Sequence, residues 1–356
     1  MRNDFRVLFS GGGSTGHLAP SVAVWEALRA VSPEATALFL CSERPGDAAF
    51  LSLEKIEPRT MPMPRIGISL LWRLPSDIVR ALGLLREFRP DVIFCKGGGL
   101  NVPVALAAKI LCIPIVLHES DRVMGRANRF LSRFAKIICL GFPLLTTNYS
   151  LQTVITGNPI RRRVTKGSRD EGLHITGLSG RRPILLVIGG SQGAQSINDG
   201  VAALLPELLQ VCDIAHVTGA GKMPAMMGEM NTQGKYWAAE NASRELQHLY
   251  AIADIAVSRA GAGSISELAA NHIPSILIPL RGLAQDHQEA NARYAAQAGG
   301  CLILEQEDIP TRMAALIREL CSSTNKRKEL QERIGALQQE NSAEQIAQIL
   351  LRTVKG

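Results

Sequence analysis

The amino-acid sequence predicts an α/β protein of two domains, each a doubly wound parallel sheet. Three observations carry this expectation. Short apolar runs rich in Val, Ile and Leu alternate with segments of helix length, the rhythm of βαβ units whose strands are buried on both faces. The rhythm halts at a polar stretch, GNPIRRRVTKGSRDEGLHITGLSGRRP (residues 157–183), and then restarts. The chain has 356 residues, long for a single hydrophobic core and comfortable for two.

In chain order, the first half offers as strands FRVLFS (5–10), TALFLC (36–41), DVIFCK (91–96), PIVLH (114–118), KIICLG (136–141) and TVITG (153–157). The second half offers PILLVIGG (183–190), CDIAHVTG (212–219), DIAVSRAG (254–261) and SILIPL (275–280). The boundary falls near the start of the polar stretch, giving domains 1–158 and 159–340. The last stretch, SAEQIAQILLRTV (342–354), has apolar residues at helical spacing with Ser342 as its expected N-cap. This helix, about 341–356, either closes the second domain or packs back on the first.

Composition narrows the function classes. With 46% hydrophobic residues and ordinary charge content, the chain has enough apolar side chain to be globular throughout. Lys and Arg outnumber Asp and Glu by 39 to 32, a formal charge of +7. That balance favours acidic partners such as nucleotides, pyrophosphates or an anionic membrane surface. No basic block is interleaved with aromatics and only 4% of residues are aromatic, so a stacking platform for single strands is missing and nucleic acid is not an expected partner. The seven cysteines never approach C-x-x-C spacing and read as reduced core residues of a cytosolic protein. From Arg6 the chain passes straight into a strand and a glycine loop, so no signal peptide is expected. The most apolar segment (102–118) is broken by Lys109 and Pro114 and is too short to span a bilayer.

One further segment, residues 61–88, mixes Ile66, Ile68, Leu70, Leu71 and Trp72 with Arg65, Arg73 and Arg80. A loop and helix of this kind can dock on anionic lipid, or bury the same residues in an ordinary core.

Each half repeats one device: a hydrophobic strand runs into a glycine turn and then a helix. FSGGGSTGH opens the first half and VIGGSQGAQ the second, and FCKGGG and SRAGAGSISE follow later strands. In open α/β sheets the ligand crevice lies beyond the carboxyl ends of the strands. Four such turns predict a cleft between the domains lined by backbone N–H groups and helix N-termini, suited to pyrophosphate.

Gly11, Gly13 and Gly16 satisfy G-x-G-x-x-G, and Glu43 after TALFLCS could serve as the acid on a ribose, so a nicotinamide cofactor is not excluded on these residues. Two observations count against it. His17 follows the third glycine at the expected mouth of the cleft, and the second half has its own loop and its own acid. In SRAGAGSISE, Arg259 ends a strand, the turn exposes N–H groups, and Glu267 lies one helical turn in, able to accept hydrogen bonds from a ribose diol. The same S-x-x-E, Ser264 to Glu267, also fits a capping box.

Together, SGGGSTGH, HESD (118–121), TGNPIR (156–161), GGSQGA (189–194), SRAGAGSISE (258–267) and DHQEANA (286–292) resemble, in order and spacing, glycosyltransferase family 28 and within it the inverting N-acetylglucosaminyltransferases of peptidoglycan synthesis. The resemblance runs from about residue 6 to 300. It implies two Rossmann-like domains of the GT-B type facing across a cleft, with UDP-GlcNAc held mainly by the C-terminal one. It also implies an undecaprenyl-pyrophosphoryl-MurNAc-pentapeptide acceptor and a place at the cytoplasmic face of the cell membrane.

Residue by residue, the resemblance puts Ser14, Thr15 and Gly16 near the diphosphate and the transferred sugar. Arg161, Ser191 and Gln192 look like further donor contacts, with Arg259. The turn Ala262, Gly263, Ser264, Ile265, Ser266 and Glu267 looks like the phosphate and ribose site. Gln288 and Asn291 are similar to residues that read the GlcNAc hydroxyls, and Ser243 falls near the uracil. The sequence also departs from the family. Thr15 stands where a glycine is common, HESD replaces HEQN and so puts a carboxylate at Asp121, and Leu100 replaces an aromatic.

Inverting transfer needs a base to take the acceptor proton. His17, titratable near neutrality, is the first candidate, with Glu119 and Asp121 as rivals in the acceptor region. The departing UDP carries charge. No D-x-D pair is present and the seven histidines are scattered, so neither metal nor cofactor is expected, and helix N-termini, Arg161 and Ser191 would supply the stabilisation. The alternatives are a GT-B glycosyltransferase acting on another acceptor, a UDP-GlcNAc epimerase, or a nicotinamide-dependent oxidoreductase.

Overall fold

The computed structural model describes residues 4–13, 15–62, 68–146, 152–224, 232–282 and 284–355. The chain divides into two compact units, one formed by residues up to Arg161 together with Gln339 onward, the other by Arg162–Gln338.

The first unit runs β1 (Arg6–Ser10), α1 (Thr15–Val31), β2 (Thr36–Ser42), α2 (Pro45–Leu53), β3 (Arg59–Met61), α3 (Ile68–Phe88), β4 (Val92–Cys95), α4 (Asn101–Ile110), β5 (Ile115–Glu119), α5 (Arg126–Leu131), β6 (Ile137–Leu140) and β7 (Thr153–Ile155). The second runs α6 (Arg169–Thr176), β8 (Ile184–Ile188), α7 (Gln195–Leu208), β9 (Asp213–Val217), β10 (Tyr236–Ala239), α8 (Leu246–Ile252), β11 (Ile255–Arg259), α9 (Ala262–Ala270), β12 (Ser275–Ile278), α10 (His287–Gln297), β13 (Cys301–Ile303), α11 (Ile309–Ser322) and α12 (Thr324–Gly335). The chain then returns to the first unit as α13 (Ser342–Lys355).

The first sheet has seven strands in the order β3-β2-β1-β4-β5-β6-β7, and the second six in the order β10-β9-β8-β11-β12-β13. Every pairing is parallel. Parallel strands need crossover connections, mostly helices here, which cover both faces and explain why every residue of β5 and β8 is buried. Alternate residues of a strand then feed opposite cores. In the first unit Val7 and Phe9 pack with Leu18, Val22 and Leu28 of α1, while Leu8 packs with Ala81 and Leu85 of α3 and Val104 of α4. Phe9 stacks on Phe39 at 4.8 Å and meets Phe94 edge-on at 5.7 Å.

All the strands expected from apolar runs form. Three that left no such signal, β3, β10 and β13, are edge strands of three or four residues. An edge strand has one neighbour and little burial, so it needs no long apolar run.

The last helix belongs to the first unit. Ile346, Ala347 and Leu350 are fully buried in the core that holds α1, and Lys136 Nζ donates to the Thr353 carbonyl at 3.0 Å. Ser342 is not its cap. Asn341, at φ 57°, takes the cap position and its carbonyl accepts Gln345 N–H at 2.8 Å, while the buried Ser342 hydroxyl has no partner.

Five cysteines are buried as expected, whereas Cys112 is exposed and Cys321 half-buried. Burial pushes the Cys95, Cys139 and Cys301 thiols up to about 12, which suits inert core residues.

Helix α3 serves both readings of residues 61–88. Ala81 and Leu85 face the core, while Trp72 and Val79 lie 83% and 66% exposed on the outer face among Arg73, Arg80 and Arg86. Arg65 and Ile66, and the side chains of Ile68, Leu70 and Leu71, lie outside the described residues. Among the described residues no helix is long and apolar enough to cross a membrane.

Because α13 completes the first core from the far end of the chain, Leu350→Ala should destabilise that unit by about 2–5 kcal/mol. Urea unfolding followed by the fluorescence of Trp25, packed against the same core, checks this; an unchanged midpoint would mean that α13 is dispensable.

Candidate functional site

Strand order locates the crevices. In the first sheet the chain builds outward from β1 to β3, then crosses back and builds the other way from β4, so the switch point lies between β1 and β4. In the second it lies between β8 and β11. FSGGGSTGH follows β1, FCKGGG follows β4, VIGGSQGAQ follows β8 and SRAGAGSISE follows β11. All four glycine turns therefore flank a switch point, where the carboxyl ends of neighbouring strands are left uncovered by their crossovers.

At the first switch point the glycine loop is held shut from behind. Gly13 N–H donates to Asp47 Oδ2 at 2.6 Å, the Ser42 hydroxyl donates to the same oxygen at 2.5 Å, and Arg44 Nη1 donates to the Gly13 carbonyl at 2.7 Å. A Cβ on Gly12 would come within 2.8 Å of Ser42 N and 2.9 Å of Asp47 Oδ2, so glycine is required for this approach. Glu43, the acid considered for a ribose, is exposed just beyond β2, and the buried Asp47 faces the loop instead. Nothing local ties Asp47 to the glycine loop, since Gly13 lies 34 residues earlier.

Ser14 lies outside the described residues. Thr15 is the first residue of α1, so its backbone is helical and does not itself require glycine, and Gly16 is exposed in the same turn. His17 is half-buried, and its Nδ1 lies 2.7 Å from the Gly12 carbonyl. A carbonyl only accepts, so Nδ1 carries the proton and Nε2 keeps its lone pair. The ring lies beside Gly98 of the turn after β4, which brings the two loops together on this histidine.

Behind His17 sits a fully buried ammonium. Lys96 donates to the Ser120 hydroxyl, and burial pushes it down to about 8 against the opposing pull of Glu119 and Asp121. Burial also holds His17 below its usual 6.5. The hydrogen bond to Gly12 raises it, Lys96 lowers it further, and Asp121 and Asp47 oppose.

Glu119 ends β5 with both oxygens occupied. Oε1 accepts Asp121 N–H at 3.1 Å, and Oε2 accepts Gly125 N–H at 3.0 Å and Asn128 Nδ2 at 2.8 Å. Burial and then Asp121 push its carboxyl upward. This carboxylate organises the turn around Asp121. The TGNP and HESD motifs meet here too: His118 Nε2 donates to the Gly157 carbonyl at 3.2 Å and Asn158 Nδ2 to the Ser120 carbonyl at 3.2 Å. Arg161 is 6% exposed in the first unit, paired with Glu54 at 2.6 Å and lying 5.2 Å over the Phe50 ring.

At the second switch point, Ser191 and Gln192 form the exposed tip of the loop after β8. Helix α9 starts at Ala262 from Gly261, which has no side chain to cap it, so Ser264 is already inside the helix and the capping-box reading fails. Ile265 N–H makes the first helical bond, to the Gly261 carbonyl, at 3.0 Å. The N–H groups of Ala262, Gly263 and Ser264 precede it and have no intrahelical acceptor. Gly263 is exposed and would meet nothing within 4 Å if given a Cβ, whereas the side chains of Ala262, Ile265 and Ser266 are buried and leave only backbone to offer. Glu267 Oε2 accepts the Tyr250 hydroxyl at 2.8 Å.

Four further residues expected as ligand contacts are engaged within the fold. Arg259 donates to Ser196 Oγ and Gln306 Oε1, both at 2.8 Å, and to the Ile278 carbonyl at 3.2 Å. Asn291 is fully buried and donates to the Ala260 carbonyl at 3.3 Å, which supports the SRAG turn from beneath. Gln288 Oε1 accepts Leu280 N–H at 3.1 Å. Ser243 forms a local turn on Asn241 Oδ1 and its carbonyl accepts from Arg163 Nη2 at 3.4 Å. Among the described residues no group of three His, Cys, Asp or Glu could hold a metal.

Two all-parallel, doubly wound sheets with glycine turns at both switch points define a GT-B type α/β protein. Residues 7–139 match the glycosyltransferase family 28 N-terminal domain and residues 184–349 its C-terminal domain. The chain is 32% identical to a Moorella thermoacetica protein, covering 99% of this chain and 100% of that one, and 34% identical to one from Shouchella clausii, covering 98% and 99%. Both are named UDP-N-acetylglucosamine–N-acetylmuramyl-(pentapeptide) pyrophosphoryl-undecaprenol N-acetylglucosamine transferase. This chain belongs to glycosyltransferase family 28. Its fold matches the crystal structure of Acinetobacter baumannii MurG, with a TM-score of 0.72, 23% identity and 98% and 99% of the two chains covered. It also matches a UDP-GlcNAc 2-epimerase from Neisseria meningitidis, with a TM-score of 0.68, 15% identity and 98% and 100% covered. These last two likenesses are of fold.

His17 should titrate below 6.5 when its ring is followed by NMR, and Lys96→Met should raise the midpoint by removing a repelling charge. The sign for stability follows: a depressed imidazole contributes above 6.5, and the contribution is lost as pH falls from there through the folded-state midpoint. A midpoint that moves down in the variant would exclude this electrostatic coupling.

Proposed function

We propose that the chain transfers N-acetylglucosamine, with inversion, from UDP-GlcNAc to the 4-hydroxyl of the muramoyl sugar of undecaprenyl-pyrophosphoryl-MurNAc-pentapeptide. The observation that carries this reading is the His17 ring at the switch point of one unit, with Nδ1 2.7 Å from the Gly12 carbonyl, an arrangement that leaves Nε2 as the nitrogen able to accept a proton. Near full-length identity above 30% to relatives named for this reaction supports the choice of substrates.

In the reaction His17 Nε2 takes the proton of the acceptor hydroxyl as that oxygen forms its bond to the anomeric carbon. The bond from that carbon to the β-phosphate oxygen breaks, and UDP leaves with the electron pair. Charge on the leaving diphosphate falls to the start of α9 and the loop of Ser191 and Gln192, both at the second switch point, without a metal. Glu267 accepts from the ribose hydroxyls, and Gln288 reads the sugar through its amide N–H. Asp121, whose charge acts on His17, is assigned to acceptor contact. The outer face of α3, with Trp72 and Val79 among arginines, docks on the anionic membrane surface that carries the acceptor.

The test is UDP release from UDP-GlcNAc with and without a lipid-linked MurNAc-pentapeptide analogue in detergent. Acceptor-dependent release is expected, and release indifferent to the acceptor would overturn the reading. His17→Ala should lower kcat by about 10²–10⁴ while leaving UDP affinity nearly unchanged. Glu267→Ala should raise the KM for UDP-GlcNAc by about tenfold without loss of thermal stability; a stability loss with an unchanged KM would make Glu267 a partner of Tyr250 only.

A further inference from the structure

The loop after β9 is tied to the loop after β8 by a side chain that the proposed function leaves unused. Lys222 Nζ donates to the Gln192 carbonyl at 2.8 Å and to the Gly193 carbonyl at 3.2 Å. The two loops are also in backbone contact. A Cβ on Gly193, at φ 67°, would lie 2.0 Å from the Thr218 carbonyl oxygen, and one on Gly219 would lie 2.6 Å from Gly193 Cα. Only glycine at both positions permits this approach.

The clamp is itself anchored. Buried Asn198 Nδ2 donates to the Thr218 carbonyl at 2.9 Å and to the Lys222 carbonyl at 3.1 Å, and Asn198 Oδ1 accepts from His216 Nε2 at 3.0 Å. The loop carrying Lys222 is therefore fixed at both its start and its lysine.

A trans peptide points its carbonyl and N–H in opposite directions. Holding the Gln192 and Gly193 carbonyls therefore sets the direction of the Gly193 and Ala194 N–H groups. The first closes the turn on the Gly190 carbonyl at 3.0 Å. The second stands with the leading N–H groups of α7, a 14-residue helix whose N-cap, Ala194, has no capping side chain.

We propose that Lys222 is a positioning residue for the donor diphosphate, orienting this loop through its carbonyls and adding a fixed positive charge behind it. The inference deepens the proposed function and rests on it, since it requires the loop to take the diphosphate of UDP-GlcNAc.

The experiment measures binding of UDP and of uridine by titration calorimetry, and KM and kcat for UDP-GlcNAc, in the full chain and in Lys222→Met and Lys222→Arg. In the unsubstituted chain UDP should bind more tightly than uridine; equal affinities would sink the diphosphate reading itself. Lys222→Met should weaken UDP binding and raise KM by about 10- to 100-fold with uridine affinity unchanged. Lys222→Arg, which keeps charge and donors, should stay within about threefold of the original. If Lys222→Met retains the original ratio of UDP to uridine affinity, Lys222 has no positioning role. Should Lys222→Met fail to fold, Lys222→Gln keeps the N–H donors without the charge and should show an intermediate loss confined to UDP; an unchanged UDP affinity there overturns the charge component.

Discussion

Two parallel strands of one sheet cannot be joined by a tight turn, and the rest of this structure depends on that constraint. Each connection must cross over a face, here mostly as a helix, so both faces are covered and all strands end on the same side. Where the crossovers reverse direction, between β1 and β4 and between β8 and β11, two strand ends are left with no connection above them. The four glycine turns and His17 sit at these two places, where the winding leaves strand ends uncovered. Glycine follows all four strands there because backbone must approach backbone or side chain closely, as at Gly12 against Asp47 and Gly193 against Thr218.

An uncovered crevice is useful only if its loops are rigid, and each unit solves this in its own way. In the first, one buried carboxylate, Asp47, collects the Gly13 N–H and the Ser42 hydroxyl while Arg44 takes the Gly13 carbonyl. In the second, an ammonium does the reverse, collecting the two carbonyls of Gln192 and Gly193. An acid consumes the N–H groups of a loop and leaves its carbonyls, one of which orients His17. A base consumes carbonyls and leaves N–H groups, which suit an anion. The first loop is thereby better matched to holding a base, and the second to holding a phosphate, although both carry a glycine-rich turn.

This distinction marks the limit of what the sequence reveals. The buried central strands announce themselves as apolar runs, and the glycine turns, with His17 as the candidate beside the first, were legible because strand, glycine and helix are contiguous in the chain. The edge strands β3, β10 and β13 were silent because half-covered strands need no apolar run. Asp47, Lys96, Glu54 and Lys222 were equally silent, because each acts on a residue 24 to 107 positions away and only the sheet order brings the two together. Local capping rules also misled at Ser342 and at Ser264, where the helices begin at the serine itself or two residues before it. The turn itself, set by tertiary packing, overrode the local preference.

The environment of His17 combines effects that separately would be of little use. A carboxylate on Nδ1, as in a hydrolase triad, fixes the tautomer and also stabilises the imidazolium, which raises the basicity of the ring. The Gly12 carbonyl fixes the same tautomer with a dipole in place of a full charge. Burial and then the nearby Lys96 ammonium hold the ring below its usual value, while the Gly12 hydrogen bond first, and then Asp121 and Asp47, act in the opposite direction. A base for a sugar hydroxyl needs both properties: it must be unprotonated before the acceptor arrives, and able to hold a proton once the bond to the anomeric carbon has formed. A single nearby carboxylate would favour the second at the expense of the first, and burial alone would do the opposite. Lys96 and Asp121, which act on this carbonyl-oriented ring in opposite directions, come from the ends of β4 and β5, neighbours in the sheet; in the proposed reaction both properties are asked of one imidazole.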